Sequence, residues 1–435
     1  MITSPVFADK KYALLGLARS GLSSVRSLAA SGAEIVAWDT RPEACDAVSD
    51  LAQIADPLTV DLEGFDGIVV SPGVPLNSHP IAEAAEKAGV PIIGDIELFA
   101  LARETLPAHR VVGITGTNGK STVTALLHHV LKSAALPVRI GGNFGVPILS
   151  QDPLAPGGVY VLELSSYQID LTHSLACDVA ALINLSPDHL NRYDGYEGYC
   201  NSKARLFAMQ TRNQHSIFGN GDAETLAIAD QARSFREDGF TVVADPTSVS
   251  GQEEWPSLQG PHNLQNAAVT IAIAEALGIG EAQWRAAFRS FKGLEHRMEI
   301  VAEANGVLFV NDSKATNAAS TAPALAAYPR IHWIVGGKPK GDSLAECEPN
   351  FGNVVKAYTI GEAGPAYAEA LQDTMPAENC EMLITAVAKA AAEAKPGEVV
   401  MLSPACASFD QFKDFEARGD CFKAAVQNLV EGKAA

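Results

Sequence analysis

The sequence predicts an α/β protein of three domains built on parallel sheets: a Rossmann-like N-terminal domain, a central P-loop ATPase-type domain and a Rossmann-like C-terminal domain. Three observations carry that expectation. Strand patterns alternate with helix patterns along almost the whole chain, the order that parallel sheets with crossover helices require. The 435 residues suffice for about three domains of ordinary size. Polar or glycine-rich turns also recur directly after apolar strands, and such folds bind ligands outside the carboxyl ends of their strands.

Composition narrows the function. Hydrophobic residues make up 47% and charged residues 19%, so the chain forms cores throughout. Its net charge of −19 argues against a nucleic-acid or anionic-membrane partner. Phosphate must then be met by local lysines and arginines, metal and backbone. The seven cysteines include no C-x-x-C pair, so neither a disulfide nor a zinc framework is readable. MITSPVFADKK lacks an apolar signal core, and no run approaches ~18 apolar residues. A soluble, cytoplasmic monomer is expected.

The first domain is expected over residues 1–98. A strand at 12–15 leads into Gly16-Leu17-Ala18-Arg19-Ser20-Gly21, a helix follows to Gly32, and a strand at 35–38 ends at Asp39. This is nearly a dinucleotide fingerprint, with Ala18 in place of the middle glycine and Asp39 where a ribose-binding acid would stand. It suits NAD, another nucleotide, or a purely structural βαβ unit. A second strand, 68–70, runs into Ser71-Pro72-Gly73-Val74-Pro75. A helix at 81–88 follows, with Pro80 at its start and Gly89 closing it. Asp95 opens a helix leading toward Pro107.

The second domain is expected over 99–294 and opens on GITGTNGKST, residues 113–122. A β-branched strand, a glycine-rich turn and an apolar-periodic helix follow in the order a phosphate cradle needs. Backbone N–H groups from Gly116, Thr117, Asn118, Gly119 and Thr122 can face the anion. Lys120 supplies a point charge and Ser121 a hydroxyl for Mg²⁺. The spacing departs from the generic G-x-x-x-x-G-K-S/T, with Ile114 at its first glycine and an extra glycine at 116. GGNFG follows, carrying Asn143. A strand at 159–162 then ends at Glu163, where such folds hold Mg²⁺ and where a solvated or capping glutamate also fits. A strand at 179–185 ends in SPDH. Three strand ends thus deliver Ser121, Glu163 and His189 to one sheet edge. Lys203 reads as a solvated helix lysine. GPHNLQNAAVTIAIAEALG, 260–278, reads as a helix, with short helices following to Phe291.

The third domain is expected over 295–435. A strand at 307–310 meets the turn NDSKATN, a strand at 331–335 meets GGKPKGD, and a strand at 399–402 meets SPACASFD. No Ser-His-Asp or Cys-His pattern supplies a nucleophile. The constellation suggests phosphoryl transfer from a nucleotide to one substrate, followed by attack of a second substrate on the activated species.

GITGTNGKST, GGNFG, ELSSYQ, NLSPDHLNRY, GPHN, GLEHR, NDSKATN and LSPACASFDQF, in this order, resemble the Mur ligases of peptidoglycan synthesis. NDSKATN and SPACASFDQFKDFEARG most resemble the D-glutamate-adding members, and the Asp-Asn-Pro-Arg motif of diaminopimelate-adding members is absent. The resemblance implies ATP, two Mg²⁺ ions, UDP-N-acetylmuramoyl-L-alanine and D-glutamate. It assigns Gly16, Ser20, Gly21, Asp39, Thr40, Arg41, Ser71, Gly73 and Asn143 to the sugar nucleotide. Lys120 and Ser121 would meet the ATP phosphates and a first Mg²⁺ shared with Glu163. His189 and a carbamylated Lys203 would serve the second. Asn263, Arg297 and Asp312 would hold the ATP nucleoside and phosphate. Lys314, Thr316, Lys340, Ser408 and Phe415 would surround the amino acid, with Lys314 also near the transferred phosphate. Lys338-Pro339-Lys340 departs from the family's more usual Asp-Gly-Lys, and spacing favours Lys340. Gly16-Leu17-Ala18-Arg19 replaces a more glycine-rich turn. Two alternatives are a folylpolyglutamate synthase-like ligase, which lacks the leading domain, and an NAD-responsive NTPase module that makes no bond.

Overall fold

Apolar runs become the strands of three sheets in the computed structural model, which describes residues 1–237, 239–339 and 343–432. The first sheet contains β1 (Lys11–Leu15), β2 (Glu34–Trp38), β3 (Gln53–Ile54), β4 (Gly67–Val70) and β5 (Ile92–Ile93). All pair in parallel, in the order β3-β2-β1-β4-β5. The direction of winding reverses between β1 and β4, so the turns at Gly16 and Ser71 flank the crevice where such sheets bind ligands.

The second sheet holds β6 (His109–Thr115), β7 (Val138–Gly142), β8 (Gly158–Glu163), β9 (Val179–Leu182), β10 (His215–Gly219) and β11 (Thr241–Ala244). It is again wholly parallel, ordered β11-β10-β9-β6-β8-β7. Strand β9 is shorter than its apolar run. Ile183 still donates to Thr115 O at 3.0 Å, but Asn184 then turns its carbonyl to the Thr117 N–H at 2.9 Å. The phosphate turn takes the bonds that would have continued the ladder.

The third sheet contains β12 (Glu299–Ala304), β13 (Val307–Asn311), β14 (Ile331–Gly336), β15 (Val354–Ile360), β16 (Ala377–Glu381) and β17 (Val399–Leu402), ordered β12-β13-β17-β14-β15-β16. It is mixed: β12 runs antiparallel to β13, while the remaining pairs are parallel. The hairpin turns on Asn305-Gly306, both at positive φ (53° and 75°), the conformation of a tight two-residue turn. Alternate residues face opposite sides. Val310, Val335 and Met401 enter one core, and Phe309, Ile334 and Leu402 the other, so this sheet is covered on both faces.

The chain packs as two compact units: Met1–Ser248 with Gln265–Phe288, and Val249–Leu264 with Arg289–Ala435. Within the first, one apolar core runs from Leu14, Val69 and Ile96 to Val111, Leu162 and Leu182, joining the first two sheets. The expected short helices before Phe291 are a single one, Glu281–Ser290. Among the described residues, no helix is long and apolar enough to cross a membrane.

Candidate active site

The phosphate turn begins where β6 ends and closes at the start of the helix Lys120–Ser133. Gly119 adopts φ 84°, and a Cβ there would stand 2.2 Å from Asn266 Oδ1, so only glycine fits. Asn184 clamps the turn, accepting from Thr117 N–H at 2.9 Å through its carbonyl and from Asn118 N–H at 2.9 Å through Oδ1. Lys120 folds back so that Nζ donates to the carbonyls of Gly116 (2.8 Å) and Thr117 (2.7 Å). Ser121 is buried at the helix start, and Thr122 follows it half-buried.

Strand register carries Glu163 to the same edge, because Ile114 on β6 pairs with Glu163 on β8. Glu163 is buried; its Oε1 accepts from Asn143 Nδ2 at 2.8 Å, while Oε2 has no hydrogen-bond partner. A buried, unpartnered anionic oxygen suits a hard cation. Among the described residues, no group of three or more His, Cys, Asp or Glu is gathered to hold a metal. His189 adopts φ 53°, its ring 5.1 Å from that of Tyr167 and its Nε2 3.5 Å from Asp188 Oδ2.

Lys203 is not solvated. It lies on the helix Gly195–Ala208 with 1% exposure, and its Nζ donates to Thr115 Oγ1 at 3.2 Å. Burial, then the nearby charge of Lys120, drives its amine well below the ordinary lysine range. Tyr199, one helical turn earlier, puts its ring 4.8 Å from that amine and its hydroxyl 3.1 Å from Thr117 Oγ1.

In the first sheet, Gly16 and Gly21 bring β1, its following helix and β4 together. A Cβ on Gly21 would stand 2.0 Å from Gly16 O, and Ser71 Oγ donates to that carbonyl at 2.8 Å. Asp39 accepts from Leu17 N–H at 2.7 Å and from the Arg41 guanidinium at 2.9 and 3.0 Å. Arg41 holds the Asp39 carboxyl well below the usual carboxylate range. Thr40 and Gly73 are exposed, and Ser20 is half-buried in the helix Arg19–Ala30.

The second unit brings the turns after β13 and β17 together. Asp312 is buried and accepts from Ser403 Oγ (2.8 Å) and Met298 N–H (3.2 Å); burial pushes its carboxyl up to about 7. Lys314 Nζ lies 4.0 Å from the centre of the Phe415 ring, a cation–π contact. Thr316 is half-buried beyond it, and Ser408 is buried with its carbonyl accepting from Gln411 and Phe412. Arg297 is half-buried between His296 and Met298, both at positive φ. Asn263 is buried, its Nδ2 donating to Gln259 O at 3.0 Å. Lys340 lies outside the described residues. Lys338 instead exchanges backbone hydrogen bonds with Ala407.

Sequence reasoning missed Arg418, which is buried without an ion pair among the described residues and bonds to neutral groups. It donates to Ser313 Oγ (3.0 Å) and to the carbonyls of Ser313 (2.9 Å), Cys406 (3.0 Å) and Ala407 (3.2 Å). It thereby welds NDSKATN to SPACASFD. Tyr199 and Asn184 were missed as well; Asn184 opens the motif NLSPDHLNRY, whereas Tyr199 belongs to none of the motifs.

Three α/β sheets, the middle one opening on a phosphate turn, define a nucleotide-handling architecture. The "Mur ligase MurD-like, N-terminal domain" model matches residues 10–94, the "Mur ligase middle domain" 114–274 and the "Mur ligase, glutamate ligase domain" 296–406. The chain belongs to the Mur ligase family. It is 67% identical to the UDP-N-acetylmuramoylalanine–D-glutamate ligase of Novosphingobium aromaticivorans, over 100% of this chain and 98% of that one. It is 58% identical to the enzyme of the same name from Sphingopyxis alaskensis, over 99% and 100%. Among solved structures, MurF from Acinetobacter baumannii matches with TM-score 0.58 at 17% identity, covering 99% of this chain and 93% of that one. UDP-N-acetylmuramate–alanine ligase MurC from Thermotoga maritima matches with TM-score 0.56 at 15% identity, over 97% and 99%. These two likenesses concern the fold alone.

Proposed function

We propose that this chain is the ATP-dependent ligase that joins D-glutamate to UDP-N-acetylmuramoyl-L-alanine. The observation that carries the reading is the edge formed by Lys120, Ser121, Glu163 and Lys203 around the end of β6, with one carboxylate oxygen buried and open. An L-alanyl carboxylate attacks the γ-phosphorus of ATP, ADP leaves, and an acyl phosphate results. The amine of D-glutamate then attacks that carbonyl and phosphate departs. Lys120 neutralises charge developing on the phosphate oxygens. Mg²⁺, held by Ser121 and Glu163, would supply further charge neutralisation. Carbamylation of Lys203 would turn a buried amine facing Thr115 into an anionic oxygen ligand, serving a second ion with His189. The crevice at Gly16, Asp39, Arg41 and Ser71 would hold the sugar nucleotide, and the Lys314–Phe415 pocket the amino acid.

The names of the relatives support this reading; neither the NAD-responsive module nor the folylpolyglutamate-type ligase gains support from them. A coupled assay tests it. Steady-state ADP release should require UDP-N-acetylmuramoyl-L-alanine and D-glutamate together, and sustained release without the amino acid, or equal turnover with L-glutamate, would refute it.

A further inference from the structure

Arg192 follows His189 by three residues, yet its side chain reaches out of the central sheet to the first one. Its guanidinium lies 4.3 Å from the centre of the Tyr167 ring. From that position Nη2 donates to Val74 O at 2.8 Å and Nη1 to Gly73 O at 3.4 Å. The adjacent residue repeats the link, with Asn77 Nδ2 donating to Asn191 O at 3.3 Å. The turn after β4 is thus tied at three points to the loop that carries His189. Tyr167 is itself braced, stacked on Tyr193 with ring centroids 6.1 Å apart and planes 17° from parallel. A cleft lined by Pro72, Val74, Leu76, Asp170 and the two tyrosines lies beside these contacts.

The chemistry of arginine explains the choice. A planar guanidinium can present its face to a ring and its edge to two carbonyls at once, whereas an ammonium is a single point. Its bonds go to neutral carbonyls, so they are charge-assisted with no counter-charge on the turn. Ser71 and Gly73 lie on one side of this clamp, and His189 with Tyr167 on the other.

We infer that Arg192 is a positioning residue for the acceptor substrate. It fixes the Ser71–Gly73 turn, which would hold the sugar nucleotide, relative to the His189 loop, where the acceptor carboxylate is activated. The inference rests on the ligase reading given above. Misplacing reacting groups by about 1 Å costs roughly 10²-fold in rate.

Two measurements test it. In steady-state assays, Arg192→Ala should raise KM for UDP-N-acetylmuramoyl-L-alanine about tenfold and lower kcat roughly 10–100-fold, with KM for ATP and D-glutamate unchanged within about twofold. Arg192→Lys should recover part of the loss, because it keeps the charge over the ring and forfeits the paired donors. In hydrogen exchange on the substrate-free protein, amides of residues 73–79 should exchange about tenfold faster in Arg192→Ala, with the helix Lys120–Ser133 unaffected. Unaltered exchange in that turn, an unchanged acceptor KM, or a parallel rise in all three KM values would overturn the inference. Should the wild-type protein fail to join the two substrates, the ligase reading falls with the assay. The exchange measurement still decides whether Arg192 holds the turn.

Discussion

Lys120 closes its own turn, its ammonium held by the carbonyls of Gly116 and Thr117. Phosphate arriving there meets a charge already fixed in place, so little reorganisation is left for the transition state. Lys120→Ala is therefore expected to lower kcat about 10²–10³-fold while leaving calorimetric affinity for the sugar nucleotide intact; near-normal turnover would place the phosphate contact elsewhere. Asp312 offers a test by pH. Burial raises its carboxyl to about 7, above an unfolded value near ~4. Its contribution to stability is then fully present below ~4 and is lost as pH rises through 7. The melting temperature of Asp312→Asn, relative to wild type, should climb between pH 4.5 and pH 8, and a flat difference would mean that folding leaves this carboxyl unperturbed. The positions of Lys120, Ser121 and Glu163 were legible because strand, turn and helix leave few places for a phosphate or metal ligand. The burial of Lys203 was not, since it depends on how the helix Gly195–Ala208 seats near Thr115, which no local pattern specifies.

Elements tell a similar story. Most strands and the helix Ile81–Ala88, with Gly89 at φ 67°, followed from apolar periodicity and turn chemistry. Strands β3, β5, β7, β10, β11, β12, β15 and β16 escaped; for β12 the reason is that Ala- and Glu-rich MEIVAEA lacks strict alternation, although the Asn-Gly pair beyond it is a strong hairpin signal. The helix Phe415–Val430 holds a glycine, Gly419, that propensity alone would replace with alanine for a gain of about 1 kcal/mol. Packing opposes that gain. A Cβ there would stand 2.1 Å from His296 Nδ1, and the ring cannot simply swing away because Asn311 Nδ2 contacts that nitrogen at 3.0 Å. Overpacking of this kind costs about 1–3 kcal/mol. Gly419→Ala should thus lower stability in urea denaturation despite the better helix former. It should also raise KM for glutamate, because His296 O accepts from the Lys314 N–H at 3.0 Å. A stabilised variant with unchanged KM would show that the His296 ring relaxes freely.

At the scale of the whole molecule, a chain of net charge −19 still gathers basic side chains near the turns that follow its strands, Lys120 in the first unit and Arg297, Lys314 and Arg418 in the second. The three sheets were legible from alternation. That the first two share a core was not, because it depends on the helix Asp95–Ala102 packing Ile96 and Phe99 into both. The amino-acid site proposed for the second unit makes the sharpest demand on substrate. Glutamate carries two carboxylates and one amine, and the amine must be neutral to attack. Lys314 waits over Phe415, Ser313 Oγ holds Phe415 O at 2.8 Å, and Arg418 fixes the turns on either side. An amino acid lacking the side-chain carboxylate would leave a cationic site unmatched, and rejection by a polar site left unpaired reaches about 10⁴–10⁵-fold. D-glutamate should therefore exceed D-alanine and D-lysine in kcat/KM by at least about 10³-fold. Phe415→Ala, which removes the ring under the ammonium, should raise KM for glutamate while leaving KM for the sugar nucleotide unchanged, since the acceptor's proposed contacts belong to the first unit. Comparable turnover with alanine would overturn the pocket, and a matching rise in both KM values would mean that Phe415 acts on the fold instead of on the amino acid.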